Sequence, residues 1–246
     1  MLQGVQVSSS TPSPSETRIV IVYLQGNAGT PLLRLPLFRR LVTLPLKLKT
    51  KNDSKRQINH SSNVQPNVTV LAVAPRSYWT STRATPTESG VLSDWEATLN
   101  LGGAAALKLT NESAKRELPP VDGLIVENPL PSIPFMVSAL YPQRWLPYHY
   151  LGRFAFDRWD AIKAVQGSKP SQPSLWIRSG QDEIIPTSSS SQAGDDQVER
   201  MYETWASRSD HSTRWLKVPG ALHDQAYLTR SWRDGLRDFL VSTARS

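Results

Sequence analysis

Short runs of β-branched and aromatic residues recur along this chain, and they constrain its fold more than any other feature. They read RIVIVYL at 18–24, VTVLAV at 68–73, DGLIVE at 122–127, LWIR at 175–178 and WLKV at 215–218. Each is too short for a helix and is bounded by glycine, proline or polar turn residues, which is the mark of a buried strand. Between them lie stretches with apolar residues at helical spacing, at 31–42, 88–99, 198–208 and 230–243. Pro36 must bend or shorten the first of these. Strands alternating with helices predict an α/β fold with a mainly parallel sheet covered on both faces. A length of 246 residues suits one such domain with a single core. Residues 47–66 read as a polar insertion. Residues 129–159, rich in Pro, Trp, Tyr and Phe, read equally as a small cap over an apolar pocket or as a helical connection packed on the sheet.

Composition excludes several classes. With no cysteine there is no disulfide framework, no cysteine nucleophile and no thiolate zinc site. The net charge of +7 raises nucleic acid and anionic membranes as partners. The basic residues are scattered, however. The one dense cluster, Lys47, Lys49, Lys51, Lys55 and Arg56, has no interleaved aromatic residue for base stacking. Nucleic acid is therefore not expected, while a membrane-surface contact stays open. No run of about 18 apolar residues exists to span a bilayer, and no signal peptide is read at the N-terminus. The expected location is cytoplasmic or peripheral to membranes. Sequons at Asn52, Asn59, Asn67 and Asn111 are read as chance occurrences in a Ser/Thr-rich chain.

In a parallel α/β sheet, functional groups collect on loops at the carboxyl ends of strands. Gln25-Gly26-Asn27-Ala28-Gly29 follows the first apolar run, and its glycines let backbone N–H groups face a cleft. It lacks the Gly-Lys-Ser/Thr ending of a phosphate loop and the G-x-G-x-x-G of a dinucleotide site, so no cofactor is expected, and no metal. Taken alone, a tight turn explains this loop better than a site does. Asp182 stands just past the fourth run, in Ser179-Gly180-Gln181-Asp182-Glu183-Ile184-Ile185-Pro186, where a carboxylate could orient a histidine. His223 stands just past the fifth, in Pro219-Gly220-Ala221-Leu222-His223-Asp224. The other histidines are placed differently: His60 in the polar insertion, His149 among aromatic residues, His211 in a polar turn. An acid followed about 40 residues later by a histidine matches the end of a Ser…Asp…His triad.

These residues resemble the α/β hydrolases of the bud-emergence (Bem-like) branch, especially its fungal members, over about 23–240. Gln25–Gly29 is similar to that family's His-Gly-Asn-Ala-Gly oxyanion loop, with glutamine in the histidine position. Arg76-Ser77-Tyr78-Trp79 with Pro86-Thr87-Glu88-Ser89-Gly90 resembles its Arg-Gly-Tyr…Pro-Ser-Glu-x-Gly segment. Glu127-Asn128-Pro129 through Ser132-Ile133-Pro134 is similar to its stretch after the sixth strand, and the Asp182 and His223 loops resemble its acid and histidine motifs. The resemblance implies a serine hydrolase acting on an ester, thioester or amide, with a small-molecule acyl substrate or ligand as partner. His223 would be the general base, Asp182 its orienting acid, and backbone N–H groups at Asn27 and Leu101 the oxyanion donors.

The departure lies at the nucleophile. The family carries Gly-x-Ser-x-Gly-Gly there, but here Trp95-Glu96-Ala97-Thr98-Leu99-Asn100 runs directly into Leu101-Gly102-Gly103-Ala104. Asn100 occupies the serine position, and an amide nitrogen is not a nucleophile. Roughly 20–25 residues are missing relative to the family, a strand with its approach loop. The central nucleophile strand is thus expected to be deleted. The start of the chain also reads as lacking the leading strand and membrane anchor often seen in such proteins. An internal piece lost from a longer product explains this better than a natural non-catalytic relative, because losing a central strand strips its neighbours of backbone partners. An acyl-binding or interaction protein on the same fold is the alternative.

Overall fold

The computed structural model describes residues 1–9, 18–24, 30–49, 63–99, 121–143, 145–185 and 196–244. Its strands are β1 Gln3–Ser8, β2 Arg18–Tyr23, β3 Leu48–Lys49, β4 Asn63–Val64, β5 Asn67–Ala74, β6 Leu124–Glu127, β7 Ser174–Ser179 and β8 Thr213–Val218. The α-helices are α1 Leu35–Val42, α2 Glu88–Leu99, α3 Ile133–Leu140, α4 Tyr148–Leu151, α5 Ala161–Gly167, α6 Gln197–Ser207 and α7 Arg230–Thr243. One sheet has the order β1-β5-β2 and another the order β6-β7-β8, while β3 and β4 form a short antiparallel ribbon. β2 runs parallel to β5 from Arg18↔Asn67 to Tyr23↔Ala72. β6, β7 and β8 are parallel throughout, Glu127 facing Ile177 and Ser179 facing Val218. Among the described residues no ladder joins the two larger sheets, so β2 and β6 each have a strand on one side only.

The strands are apolar runs because both faces are covered. Along β7, Leu175 and Ile177 enter one core with Phe38 and Leu41 of α1 and Leu236 and Phe239 of α7. The intervening Trp176 enters another, with Val165 of α5 and Met201 and Trp205 of α6. That is the period-two alternation of a strand. β5 contributes Val68, Val70 and Ala72 to the first core, so one core runs beneath α1, which packs on β1 and β5, and α7, which packs on β7 and β8. The opposite face of β2 packs against Val91, Leu92 and Trp95 of α2.

Two expectations need correction. A leading strand exists: β1 pairs antiparallel with β5, from Gln3↔Ala74 to Ser8↔Thr69. Its only β-branched residues, Val5 and Val7, sit in a polar stretch, and among the described residues the strand has a neighbour on one side only, so it carries no buried run. At Gly4 a side chain would come within 2.6 Å of the Ala72 carbonyl oxygen, so glycine there marks close approach of two strands. The second correction concerns 31–42, which is not one helix: Pro31–Arg34 is a 3-10 turn and α1 follows, with proline at its first turn. Most of the 47–66 insertion lies outside the described residues. No helix among the described residues is long and apolar enough to cross a membrane.

Candidate active site

β7 and β8 deliver the two predicted polar residues to one place. Asp182 follows β7 by three residues and His223 follows β8 by five. Parallel neighbouring strands end on the same side, so their loops meet. The His223 Nδ1 lies 3.1 Å from Asp182 Oδ1 and 3.0 Å from Oδ2. The Asp182 side chain is fully buried, whereas that of His223 is 26% exposed. The imidazole thus keeps one nitrogen bound to a carboxylate while part of the ring remains accessible, as a general base requires.

The carboxylate is held by several donors. Its Oδ1 accepts from the backbone N–H of Ile184 at 2.9 Å and of Ile185 at 2.8 Å, and its Oδ2 accepts from Arg178 Nη1 at 2.7 Å. Burial pushes the Asp182 carboxyl up, but the bonds from His223 and from the Ile185 and Ile184 amides outweigh it and hold the group below the usual carboxylate range. It therefore remains ionised and can stabilise an imidazolium.

Asn128, at the end of β6, ties the loops together. Its side-chain Nδ2 donates to the His223 carbonyl at 2.6 Å and to Ser179 Oγ at 2.8 Å, and its Oδ1 accepts from the Ser179 N–H at 2.8 Å. Its backbone is left-handed, with φ 42°, a conformation asparagine tolerates better than most residues. The His223 N–H donates to Glu183 Oε2 at 2.9 Å. Glu127, next to Asn128, accepts from the Trp232 indole at 3.1 Å. Burial raises its pKa, and the Trp232 bond offsets this only in part.

The Arg76 and Pro86–Gly90 segments act as supports. Arg76 donates to Asp94 from Nε at 3.0 Å and from Nη2 at 2.8 Å, a forked pair that joins the loop after β5 to α2. A side chain at Gly90 would meet the Arg76 guanidinium at 2.7 Å. Glu88 accepts from the backbone N–H of Arg158 and Trp159, fastening the start of α2 to the end of the 129–159 segment.

Of the sequence-predicted site residues, Asp182 and His223 come together. Asn27, Asn100 and Leu101 lie outside the described residues, as does His60. His211 sits in an exposed turn away from the pair. The roles of Arg178 and Asn128 were not singled out from sequence. A signal existed for both: an arginine in an otherwise apolar buried strand, and an asparagine immediately after another. Among the described residues no cluster of His, Cys, Asp or Glu could hold a metal ion.

With this geometry in place, the chain can be set beside solved structures. It is similar to a thermostable esterase from Pseudomonas putida, with 10% identity, a TM-score of 0.56, and 99% of this chain and 83% of that one covered. It is similar to an esterase of Pyrobaculum calidifontis, with 11% identity, a TM-score of 0.53, and 100% and 85% covered. It is also similar to carboxyl esterase 2 of the mycorrhizal fungus Tuber melanosporum, with 13% identity, a TM-score of 0.52, and 99% and 87% covered. The fold is that of the α/β hydrolases. No protein-family model matches the chain, and no curated protein does.

Proposed function

We propose that this chain carries the acid–base half of a serine hydrolase of the Bem-like, fungal type and is catalytically incomplete because the Gly-x-Ser half of its nucleophile elbow is absent. The observation that carries the acid–base half of the reading is the buried Asp182 carboxylate on His223 Nδ1 at 3.0 Å, at the carboxyl ends of adjacent parallel strands, while the incompleteness rests on Asn100 standing in the serine position of the sequence. In this reading His223 is the general base, Asp182 fixes its tautomer, and the N–H groups at Asn27 and Leu101 are the oxyanion donors. Among the described residues β2 and β6 each pair on one side only, which supports the loss of a strand between them. So does the core that β5 and β7 share beneath α1 and α7.

The substrate class in this reading is an ester, thioester or amide with an apolar acyl part. The 129–159 segment favours an apolar partner, because Trp145 is 80% exposed, Phe154 75%, and Phe156 fully. The same observation supports the second reading, a non-catalytic acyl-ligand binding or interaction protein on the same fold. That reading predicts a saturable rise in melting temperature with acyl compounds, and the absence of any such rise would count against it.

The test of the main reading is labelling with a fluorophosphonate, which forms a phosphorus–oxygen bond to an activated serine and expels fluoride. The wild-type chain is expected to show no mass increase. An adduct on wild type that disappears in His223→Ala would mean that another serine serves as nucleophile and would overturn the incompleteness. The Asn100→Ser chain probes the elbow: an adduct there means that the hydroxyl alone was missing, and no adduct means that the elbow geometry is absent too.

A further inference from the structure

We infer that Arg178 is a positioning residue that couples the Asp182 carboxylate to both flanks of the segment 186–195 and to the first turn of α6. This rests on the reading of Asp182 as the orienting acid of His223, but its test does not depend on hydrolysis. Arg178 lies two residues after Trp176 on β7, so its side chain projects to the face covered by α6. There it is fully buried, with all three guanidinium nitrogens engaged. Nη1 donates to Asp182 Oδ2 at 2.7 Å, Nε donates to Asp196 Oδ2 at 2.8 Å, and Nη2 donates to the Ile185 carbonyl at 3.1 Å. Neither acid is open to water: the side chain of Asp182 is 0% exposed and that of Asp196 4%.

The three partners are not neighbours in sequence by chance of a single turn. Ile185 immediately precedes the segment 186–195 and Asp196 immediately follows it. Asp196 is also the N-cap of α6, its other oxygen accepting from the N–H of Val198 at 3.0 Å and of Glu199 at 3.4 Å. A continuous path of hydrogen bonds thus runs from the start of α6 through Asp196, Arg178 and Asp182 to His223, with successive side-chain distances of 2.8, 2.7 and 3.0 Å.

Apart from His223, Asp182 accepts from three donors, and Arg178 is the one that does not belong to its own turn. The Ile184 and Ile185 amides bind Oδ1, while Oδ2 is shared between His223 and Arg178. The guanidinium thus fixes the oxygen that also faces the imidazole. A planar fork that serves two carboxylates and a carbonyl at once is arginine chemistry, because a lysine ammonium is a point charge on a flexible stem.

The experiment uses the full chain and proton NMR with native-state hydrogen exchange on wild type, Asp196→Ser and Arg178→Lys. Serine caps a helix about as well as aspartate, so Asp196→Ser keeps the start of α6 while removing the carboxylate from Arg178. Released from Asp196, the guanidinium loses one of the three bonds that fix its plane, so its hold on the Asp182 carboxylate and on the Ile185 turn loosens. The Ile184 and Ile185 amides are expected to exchange about tenfold faster, the factor that one lost charge-assisted hydrogen bond supports. The low-field Nδ1 proton of His223 is expected to broaden or vanish, although Asp196 touches neither Asp182 nor His223. Arg178→Lys, which keeps the charge without the fork, is expected to lose that proton as well.

A folded Asp196→Ser with the low-field proton and both amides unchanged would overturn the coupling. Retention of the proton in Arg178→Lys would overturn the positioning role, since charge alone would then suffice. Should either variant not fold, wild type decides. Its Ile184, Ile185, Val198 and Glu199 amides are expected to exchange through one shared opening as denaturant is added, and separate openings with different denaturant slopes would overturn the proposal. A failure of Asn100→Ser to label leaves all of these readouts untouched, so the two failures are distinguishable.

Discussion

Replacing Asn128 with alanine removes the side chain that joins the ends of β6 and β7 to the His223 loop, and its cost can be worked from the contacts. The Ser179 N–H, on a residue with no exposed surface, loses its acceptor at 2.8 Å. A buried donor left unpaired costs about 1–3 kcal/mol. Two donations are lost as well, to Ser179 Oγ and to the His223 carbonyl, each worth about 0.5–1.5 kcal/mol net. Alanine is also less tolerant than asparagine of the left-handed backbone at φ 42°. Together these give a loss of about 4 kcal/mol, a large share of the roughly 5–15 kcal/mol typical of a domain. For a chain of this size that corresponds to a fall of roughly 10 °C in Tm. Equilibrium urea unfolding followed by tryptophan fluorescence measures it as a lower midpoint at unchanged slope. Asn128→Gly separates the terms, since glycine removes the backbone penalty and should recover no more than about 1 kcal/mol of the loss. A loss below about 1 kcal/mol in Asn128→Ala would refute the reasoning, because the Ser179 N–H would then have an equivalent partner.

Further expectations concern titration and packing. The folded-state pKa of Glu127 is raised by burial, so its contribution to stability is full below the unfolded value of about 4.3 and is lost as pH rises through the folded value. Glu127→Gln, which can still accept from Trp232, should therefore gain on wild type as pH rises, and melting curves across pH that run parallel would contradict this. Asp182 behaves oppositely: its folded pKa is lowered despite burial, chiefly by the bond from His223, so its contribution is present above about 3.9 and is lost as pH falls through the folded value. Asp182→Asn should flatten that acid limb. Trp205 donates from Nε1 to Ser174 at 3.1 Å, whereas the buried Trp176 Nε1 has no partner among the described residues. Trp205→Phe should thus cost about 1 kcal/mol more than Trp176→Phe in urea unfolding, and equal costs would show that the bond contributes nothing net.

The sheet was legible wherever both faces of a strand are covered. RIVIVYL and LWIR could be placed because Ile21 and Val22, or Trp176 and Ile177, pack into different cores, so successive residues are apolar instead of alternating with polar ones. Helix bounds at 88–99 and 230–243 followed from apolar spacing and agree with α2 and α7. β1 was not legible, since two valines between polar residues describe an edge strand and a loop equally well. α5 was missed for a related reason: seven residues with Ala164 and Val165 buried give too short a stretch for helical periodicity to stand out. In the site, Asp182 and His223 could be read from their places after strands. Arg178 stood out only as an arginine in an apolar run; its pairing with Asp196 could not be read, because it depends on which face of β7 receives α6, and that is settled by packing rather than by spacing.

The site also divides along the same line as the sheets. Asp182, His223, Asn128 and Arg178 all belong to β6, β7, β8 and the loops attached to them, and among the described residues they bond one another and Ser179, Glu183, Ile184, Ile185 and Asp196. None of the bonds that orient the Asp182 carboxylate comes from β1, β2 or β5. The acid–histidine pair is therefore a local property of one sheet, and it can form whether or not a nucleophile strand stands beside β6. Good geometry in that pair accordingly carries no information about the serine. For the same reason a hydroxyl at position 100 tests something independent of the pair: whether the segment between α2 and β6 can bring an oxygen to the accessible side of the His223 ring.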